Sequence, residues 1–301
     1  MGTIRRAITV RELGVIARQQ LSQEQEAVVL GVTSRGVFIR LGVGWVIFLS
    51  TEAFRGPLTL NVGGDSPALQ RLENGMPSQV TQAGIFFPQA EVLVDVRQAR
   101  IWQEPLPSQA FLYHAERSER LLQVTRQALA RQPGSQLSAL LPLLLGIESA
   151  PYNVENTALP VLYRLQQSLA GRQITAIITG LEVLLGMGSG LTPSGDDLTA
   201  GFLLTLGRWG HVLAPGLDAQ AIGKALLPPA YRKTTTLAAN LIDCAVQGQA
   251  NERLILALDG MLTGQPDSVT CADYLASWGN TSGLDALLGM ALVLSAIISE
   301  T

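Results

Sequence analysis

The residues best placed to do chemistry are those of Gly188-Ser189-Gly190-Leu191-Thr192-Pro193-Ser194-Gly195-Asp196-Asp197, directly before an apolar run from Leu198 to Leu206. Thr192 suits a helix N-cap, and Pro193 the first helical position, where a missing N–H costs nothing. The residues that follow then present unpaired N–H groups at the positive end of a helix. Glycine at 188, 190 and 195 permits positive φ and close approach of a ligand to the backbone. A corner of this kind is suited to a small anion.

The pattern recurs. Ser194-Gly195-x-Asp197-x-x-x-Gly201 is matched by Ser282-Gly283-x-Asp285-x-x-x-Gly289, which follows a polar turn, Gly279-Asn280-Thr281, and opens a second apolar run. Asp and Gly four apart share one helix face. Two related loop-to-helix corners facing each other across one site are therefore expected. Asp196, Asp197 and Asp285 are the candidate catalytic residues, as Mg²⁺ ligands, substrate-orienting groups or a general base. The same placement also serves merely to complement a helix dipole. Adjacent helical residues point about 100° apart. One of Asp196 and Asp197 then faces a ligand while the other braces the loop, and Asp197, with its counterpart in Asp285, is the one expected in the site.

Between the two corners lies Tyr231-Arg232-Lys233-Thr234-Thr235-Thr236. Thr234 or Thr235 reads as an N-cap. Two cations beside three hydroxyls at a helix start also describe an oxyanion site. Lys233 stands out because the only other lysine is Lys224; its plainer reading is a solvated surface charge. The candidate substrate-binding set is thus Gly188, Ser189, Gly190, Thr192, Ser194, Gly195, Arg232, Lys233, Thr234, Thr235, Asn280, Thr281, Ser282 and Gly283. The two histidines, His114 and His211, lie outside these motifs and have no metal-ligand spacing. Cys244 and Cys271 read as core residues. There is no Gly-x-Ser-x-Gly elbow and no phosphate-binding P-loop. What remains is Asp, Ser/Thr, Arg/Lys and backbone amides, a kit suited to phosphoryl or carbamoyl transfer, where positioning and charge neutralisation do most of the work.

The elements that must hold these residues are of two kinds. Ala27–Val32, Val37–Leu41, Trp45–Leu49, Leu58–Val62 and Val92–Val96 are short β-branched or aromatic runs between turns such as Ser34-Arg35-Gly36 and Gly63-Gly64-Asp65. They predict a small antiparallel or barrel-like sheet, with Phe86-Phe87 as a further strand edge. Helical spacing follows over 115–131, 136–147, 158–169, 174–185, 198–206, 219–227, 235–247, 251–262 and 284–299. The expected class is α+β: a β-rich N-terminal domain over 1–105 and a larger multi-helix domain over 106–301.

Composition narrows the function. Apolar residues make up 47% of the 301 and charged residues 15%, so the chain is ordered and globular. A net charge of −3 gives no reason to expect nucleic acid or an anionic membrane as partner. Two cysteines are too few for a disulfide framework, which points to a reducing cytoplasm. Arg5 and Arg6 precede no signal-peptide apolar core, and Ala286–Ile298 is too short to span a bilayer.

Together, the 188–197 motif, Arg232-Lys233-Thr234-Thr235 and the 279–289 motif resemble a bacterial domain family that includes the AllH-type subunit of oxamate carbamoyltransferase. The resemblance covers about residues 180–290. It implies interconversion of oxalurate plus phosphate with oxamate plus carbamoyl phosphate, alongside companion subunits resembling acyl-CoA synthetase-type proteins. A small anionic substrate is implied, with no certain cofactor. Two other readings compete: a Mg²⁺-dependent phosphotransferase using the Asp cluster, and a non-catalytic anion-binding or assembly subunit.

Overall fold

A computed structural model describes residues 6–42, 44–64, 67–107, 113–147 and 157–298. Arg5, Asp65 and Ser299, and the side chain of His114, lie outside the described residues. The chain divides into two units, Met1–Pro105 and Leu106–Thr301. The class is α+β, a β-rich first unit followed by a helical second one.

In the first unit, β1 (Arg6–Thr9), β2 (Glu12–Gly14), helix α1 (Val15–Gln20), β3 (Gln25–Thr33), β4 (Gly36–Leu41), β5 (Trp45–Ser50), β6 (Thr59–Asn61), β7 (Pro77–Thr81), β8 (Gly84–Phe87), β9 (Val92–Asp95) and β10 (Arg100–Trp102) follow in order. The strands pair as β1-β9-β8-β7-β3-β4-β5-β6-β2-β10. β1 and β2 are consecutive in the chain yet lie towards opposite ends of that order, so the sheet curls back onto one chain segment. Alternating positions of each strand point into the curl. Val29, Ile39, Ile47, Leu49, Leu60, Ile85, Phe87 and Val94 make its core. Phe86-Phe87 is not an edge: β8 pairs with both β7 and β9. Strand β7, Pro-Ser-Gln-Val-Thr, has too few apolar residues to reveal itself. Its place between β3 and β8 is decided by long-range pairing.

The second unit holds α2 (His114–Arg131), a 3-10 turn Ser138–Leu140 leading into α3 (Leu141–Leu144), α4 (Leu159–Ala170), α5 (Ile174–Leu184), α6 (Ser194–Leu213), α7 (Ala219–Lys233), α8 (Thr236–Val246), α9 (Glu252–Thr263), α10 (Ser268–Ser277) and α11 (Ser282–Ile298). α6 and α11 cross at its centre, with Leu198, Phe202, Leu287, Met290 and Ala291 almost fully buried. Two departures from the sequence reading matter. α7 does not stop at Leu227 but continues through Pro228-Pro229 to Lys233. Those prolines cannot donate to the carbonyls of Lys224 and Ala225; both residues are exposed, so water can serve them. Helix α10 was not expected; Asp267 starts it by accepting from the N–H groups of Val269 and Thr270.

Candidate functional site

Each Ser-Gly-x-Asp corner is built the same way. Helix α6 starts one residue later than its sequence suggests. Pro193, with φ −53° and ψ 144°, takes the cap position and Ser194 is the first helical residue. The Gly195 N–H donates to Met187 O at 2.8 Å, and those of Asp196 and Asp197 donate to Pro193 O at 2.9 and 3.1 Å. At α11, the Gly283 N–H donates to Trp278 O at 3.0 Å, and those of Leu284 and Asp285 to Thr281 O at 2.9 and 3.0 Å. The expectation of unpaired amides after Pro193 is therefore corrected at Gly195, Asp196 and Asp197: the chain folds back on the helix start and satisfies them, as it does at Gly283.

The glycines of the repeated pattern face protein backbone rather than a ligand. A Cβ on Gly195 would stand 1.9 Å from Leu184 O, and one on Gly283 would stand 1.9 Å from Leu275 O. A Cβ on Gly201 would lie 2.1 Å from Ala286 O, and one on Gly289 1.9 Å from Leu198 O. These contacts are reciprocal. The glycine four residues after each Asp touches the carbonyl of the residue just after the other Asp, so the starts of α6 and α11 meet about a local two-fold. The loop glycines have the expected positive φ, +114° at Gly188 and +95° at Gly190; a Cβ at Gly188 would stand 2.8 Å from Ser194 N, whereas one at Gly190 would meet nothing within 4 Å. Residues Gly188 to Leu191 and Asn280 are exposed.

The crossing brings Asp197 and Asp285 together. Asp197 is 5% exposed and Asp285 0%. The Thr192 and Ser282 hydroxyls, 3.1 Å apart, stand beside Asp197. Burial pushes the Asp197 carboxyl well above the ordinary carboxylate range; the charges of Asp285 and Asp196 act the same way, against the two hydroxyls. Asp285 Oδ1 accepts from the Ser135 hydroxyl. The Oδ2 atoms of both Asp197 and Asp285 are buried without a hydrogen-bond partner.

Asp196 points elsewhere. Its Oδ1 accepts from the Gly186 N–H at 2.9 Å and its Oδ2 from the Thr234 hydroxyl. Burial raises its carboxyl, opposed by those two bonds. With both oxygens engaged it braces the loop, and it does not join Asp197 and Asp285 in a three-carboxylate cluster. Among the described residues no three His, Cys, Asp or Glu side chains are placed to hold a metal ion.

The Arg232–Thr235 segment is also reassigned. Arg232 and Lys233 end α7 rather than begin a helix, the usual place for cations beside a negative helix terminus. Lys233 pairs with Glu182 Oε1 at 2.8 Å on the surface. Thr235 caps α8, accepting from the Ala238 N–H at 3.1 Å, and donates to Leu191 O. Thr234 and Thr235 thus tie the 186–191 loop to the α7–α8 corner. A groove of about 920 Å³ between α4 and α5, which includes Arg164 and Arg172, is lined by none of the corner residues.

Ser135 is the site residue that sequence reasoning missed. Gly134-Ser135-x-x-Ser138 is legible as a turn: the Leu137 and Ser138 N–H groups donate to Ser135 Oγ at 3.0 and 3.1 Å. Nothing local ties it to a carboxylate 150 residues away.

No solved structure matches the chain. Residues 184–294, from the end of α5 through both corners and most of α11, match the family model described as oxamate carbamoyltransferase subunit AllH.

Proposed function

We propose that the chain is a subunit of an oxamate carbamoyltransferase-type enzyme and that its two corners form the carbamoyl-handling site. The observation that carries this reading is the pair of buried carboxyl groups, Asp197 and Asp285, each with one oxygen unused by the protein. Buried polar atoms are normally paired, so two orphans at the meeting of two helix starts point to a polar ligand group. The match of the same residues to the family model described as oxamate carbamoyltransferase subunit AllH supports a carbamoyl group as that ligand.

In that reaction a phosphate oxygen attacks the ureido carbon of oxalurate. The bond from that carbon to the oxamate nitrogen breaks, and the proton of hydrogen phosphate ends on that nitrogen. Negative charge develops on the carbamoyl oxygen during attack. Asp197, whose carboxyl burial pushes well above the ordinary carboxylate range, is the donor suited to that oxygen. The exposed Gly188–Leu191 loop leads into Thr192, beside Asp197, and Asp196, Thr234 and Thr235 set where that loop rests.

Companion subunits, expected to resemble acyl-CoA synthetase-type proteins, complete the enzyme. Both cysteines are free and buried, which fits a reducing, cytoplasmic setting. Among the described residues no helix is long and apolar enough to cross a membrane. The Mg²⁺-phosphotransferase alternative is the less favoured reading, since both oxygens of Asp196 are engaged within the protein.

The test is thermal melting of the full chain with phosphate, carbamoyl phosphate, oxamate, oxalurate, or ATP with Mg²⁺. A ligand at about 100 times its dissociation constant stabilises by roughly 2.7 kcal/mol. Stabilisation by carbamoyl phosphate or oxalurate is the expected result. No shift with any carbamoyl ligand or with oxamate would sink the reading and leave an assembly subunit in its place.

A further inference from the structure

The groove of about 920 Å³ between α4 and α5 takes no part in either corner. At its α4–α5 turn the Gln173 N–H donates to Ser168 O at 2.8 Å, so α5 starts beside Ser168. That helix has no side-chain cap and no acid in its first turn. Among the described residues the N–H groups of Ile174, Thr175 and Ala176 find no acceptor. Ser168 lines the groove and is 7% exposed, and its hydroxyl has no hydrogen-bond partner among the described residues. Hydroxyls so buried are normally paired. Arg164 lies one turn earlier on the same face of α4. It is exposed and makes no ion pair or hydrogen bond among the described residues. Arg172 lines the groove from the turn, and no Asp or Glu is among the lining residues. Farthest from the turn the walls are apolar, Val161 on α4 and Val183 on α5.

We infer that this groove binds a phosphate-bearing organic molecule, with its phosphate at the start of α5 and its body along the walls toward Val161 and Val183. A helix start attracts negative charge, and a guanidinium matches phosphate oxygens in its geometry. The N–H groups, the Ser168 hydroxyl and the arginines offer more donors than the two oxygens of a carboxylate can use, whereas a phosphate can answer several at once. The volume falls within the range of about 300–1,000 Å³ typical of pockets for organic ligands, so a lone phosphate leaves most of the groove unused. The site is separate from the corners. Helix α5 has 11 residues, and at 1.5 Å each it sets the charged end of the groove about 16 Å from Leu184, on which the Gly195 corner rests. The lining residues, 161–183, also precede the stretch that matches the family model. The inference is therefore independent of the carbamoyl reading.

The experiment is calorimetric titration of the full chain with ADP and with inorganic phosphate, without Mg²⁺. ADP is expected to bind, and more tightly than inorganic phosphate. Arg164→Ala, at an exposed position that the fold tolerates, should weaken ADP by about 10-fold or more through loss of a charge-assisted hydrogen bond. Ser168→Ala should weaken it by about 3- to 10-fold. Arg126→Ala, at an exposed arginine of α2, should leave ADP affinity unchanged. Oxalurate, which carries no phosphate, should not displace ADP. The inference is overturned by absence of ADP binding, by ADP affinity no greater than that of inorganic phosphate, or by displacement of ADP by oxalurate. Undiminished affinity in Arg164→Ala, or an equal loss in Arg126→Ala, overturns it as well. Absence of oxalurate binding counts only against the carbamoyl reading, so the two fail separately.

Discussion

The α6 and α11 corners share a skeleton and differ in nearly everything attached to it. Both begin with a helix start whose glycine N–H returns to the preceding turn, and both press a later glycine onto the other's backbone. Their loops differ: Gly188 to Pro193 before α6, only Gly279 to Thr281 before α11. The α6 corner has a second acid, Asp196, that ties its loop to Gly186 and Thr234; the matching α11 residue is Leu284, buried in the core. Asp285 instead takes Ser135 as partner. The α6 helix also has an anchor beyond the corner, where buried Arg208 and Trp209 bond Asp259 of α9. The repeated residues serve close packing, and the unrepeated ones set loop position and proton placement.

The sharpest way to break this comparison is to burden both halves equally. Gly201→Ala and Gly289→Ala each put a methyl group about 2 Å from a backbone carbonyl of the facing helix. Each should cost about 3 kcal/mol, at the upper end for overpacking and well above alanine's helix-propensity gain. Urea unfolding measures both, and a large cost at one glycine alone would end the two-fold description.

A smaller effect separates the acids. A carboxyl group raised by folding contributes stability that is full below its unfolded value, near 3.8 for Asp197, and is lost as pH rises through its folded value. Native stability should therefore fall with rising pH relative to Asp197→Asn, with a slope of about 1.4 kcal/mol per pH unit between those two values. Asp196 is raised too and is present in both chains, so the difference reads Asp197 together with its coupling to Asp196 and Asp285. Parallel pH profiles would remove the case for a protonated Asp197.

The smallest expected effect is at Ser135. Ser135→Ala removes the donor to Asp285 and the acceptor of the Leu137 and Ser138 N–H groups, at a cost of about 1–2 kcal/mol. An equal cost in an Asp285→Asn background would show that the hydroxyl serves only the turn, and a double-mutant cycle reads the difference.

The sequence by itself determined the class and the repeated corners. Short β-branched runs between turns, then apolar residues at helical spacing, mark the two kinds of structure, because period and turn chemistry are local properties of the backbone. The matched Ser-Gly-x-Asp-x-x-x-Gly strings identified two equivalent helix starts and pointed to Asp197 over Asp196. Tertiary structure decided the rest. It closed the expected amides with carbonyls from the preceding turns and gave the pattern glycines to helix crossing. It placed Arg232 and Lys233 at a helix end, and it brought Ser135 to Asp285. Each of these depends on which distant atom reaches a given N–H, oxygen or Cβ position first. Local spacing sets the direction in which a side chain leaves its helix, while packing sets what it meets.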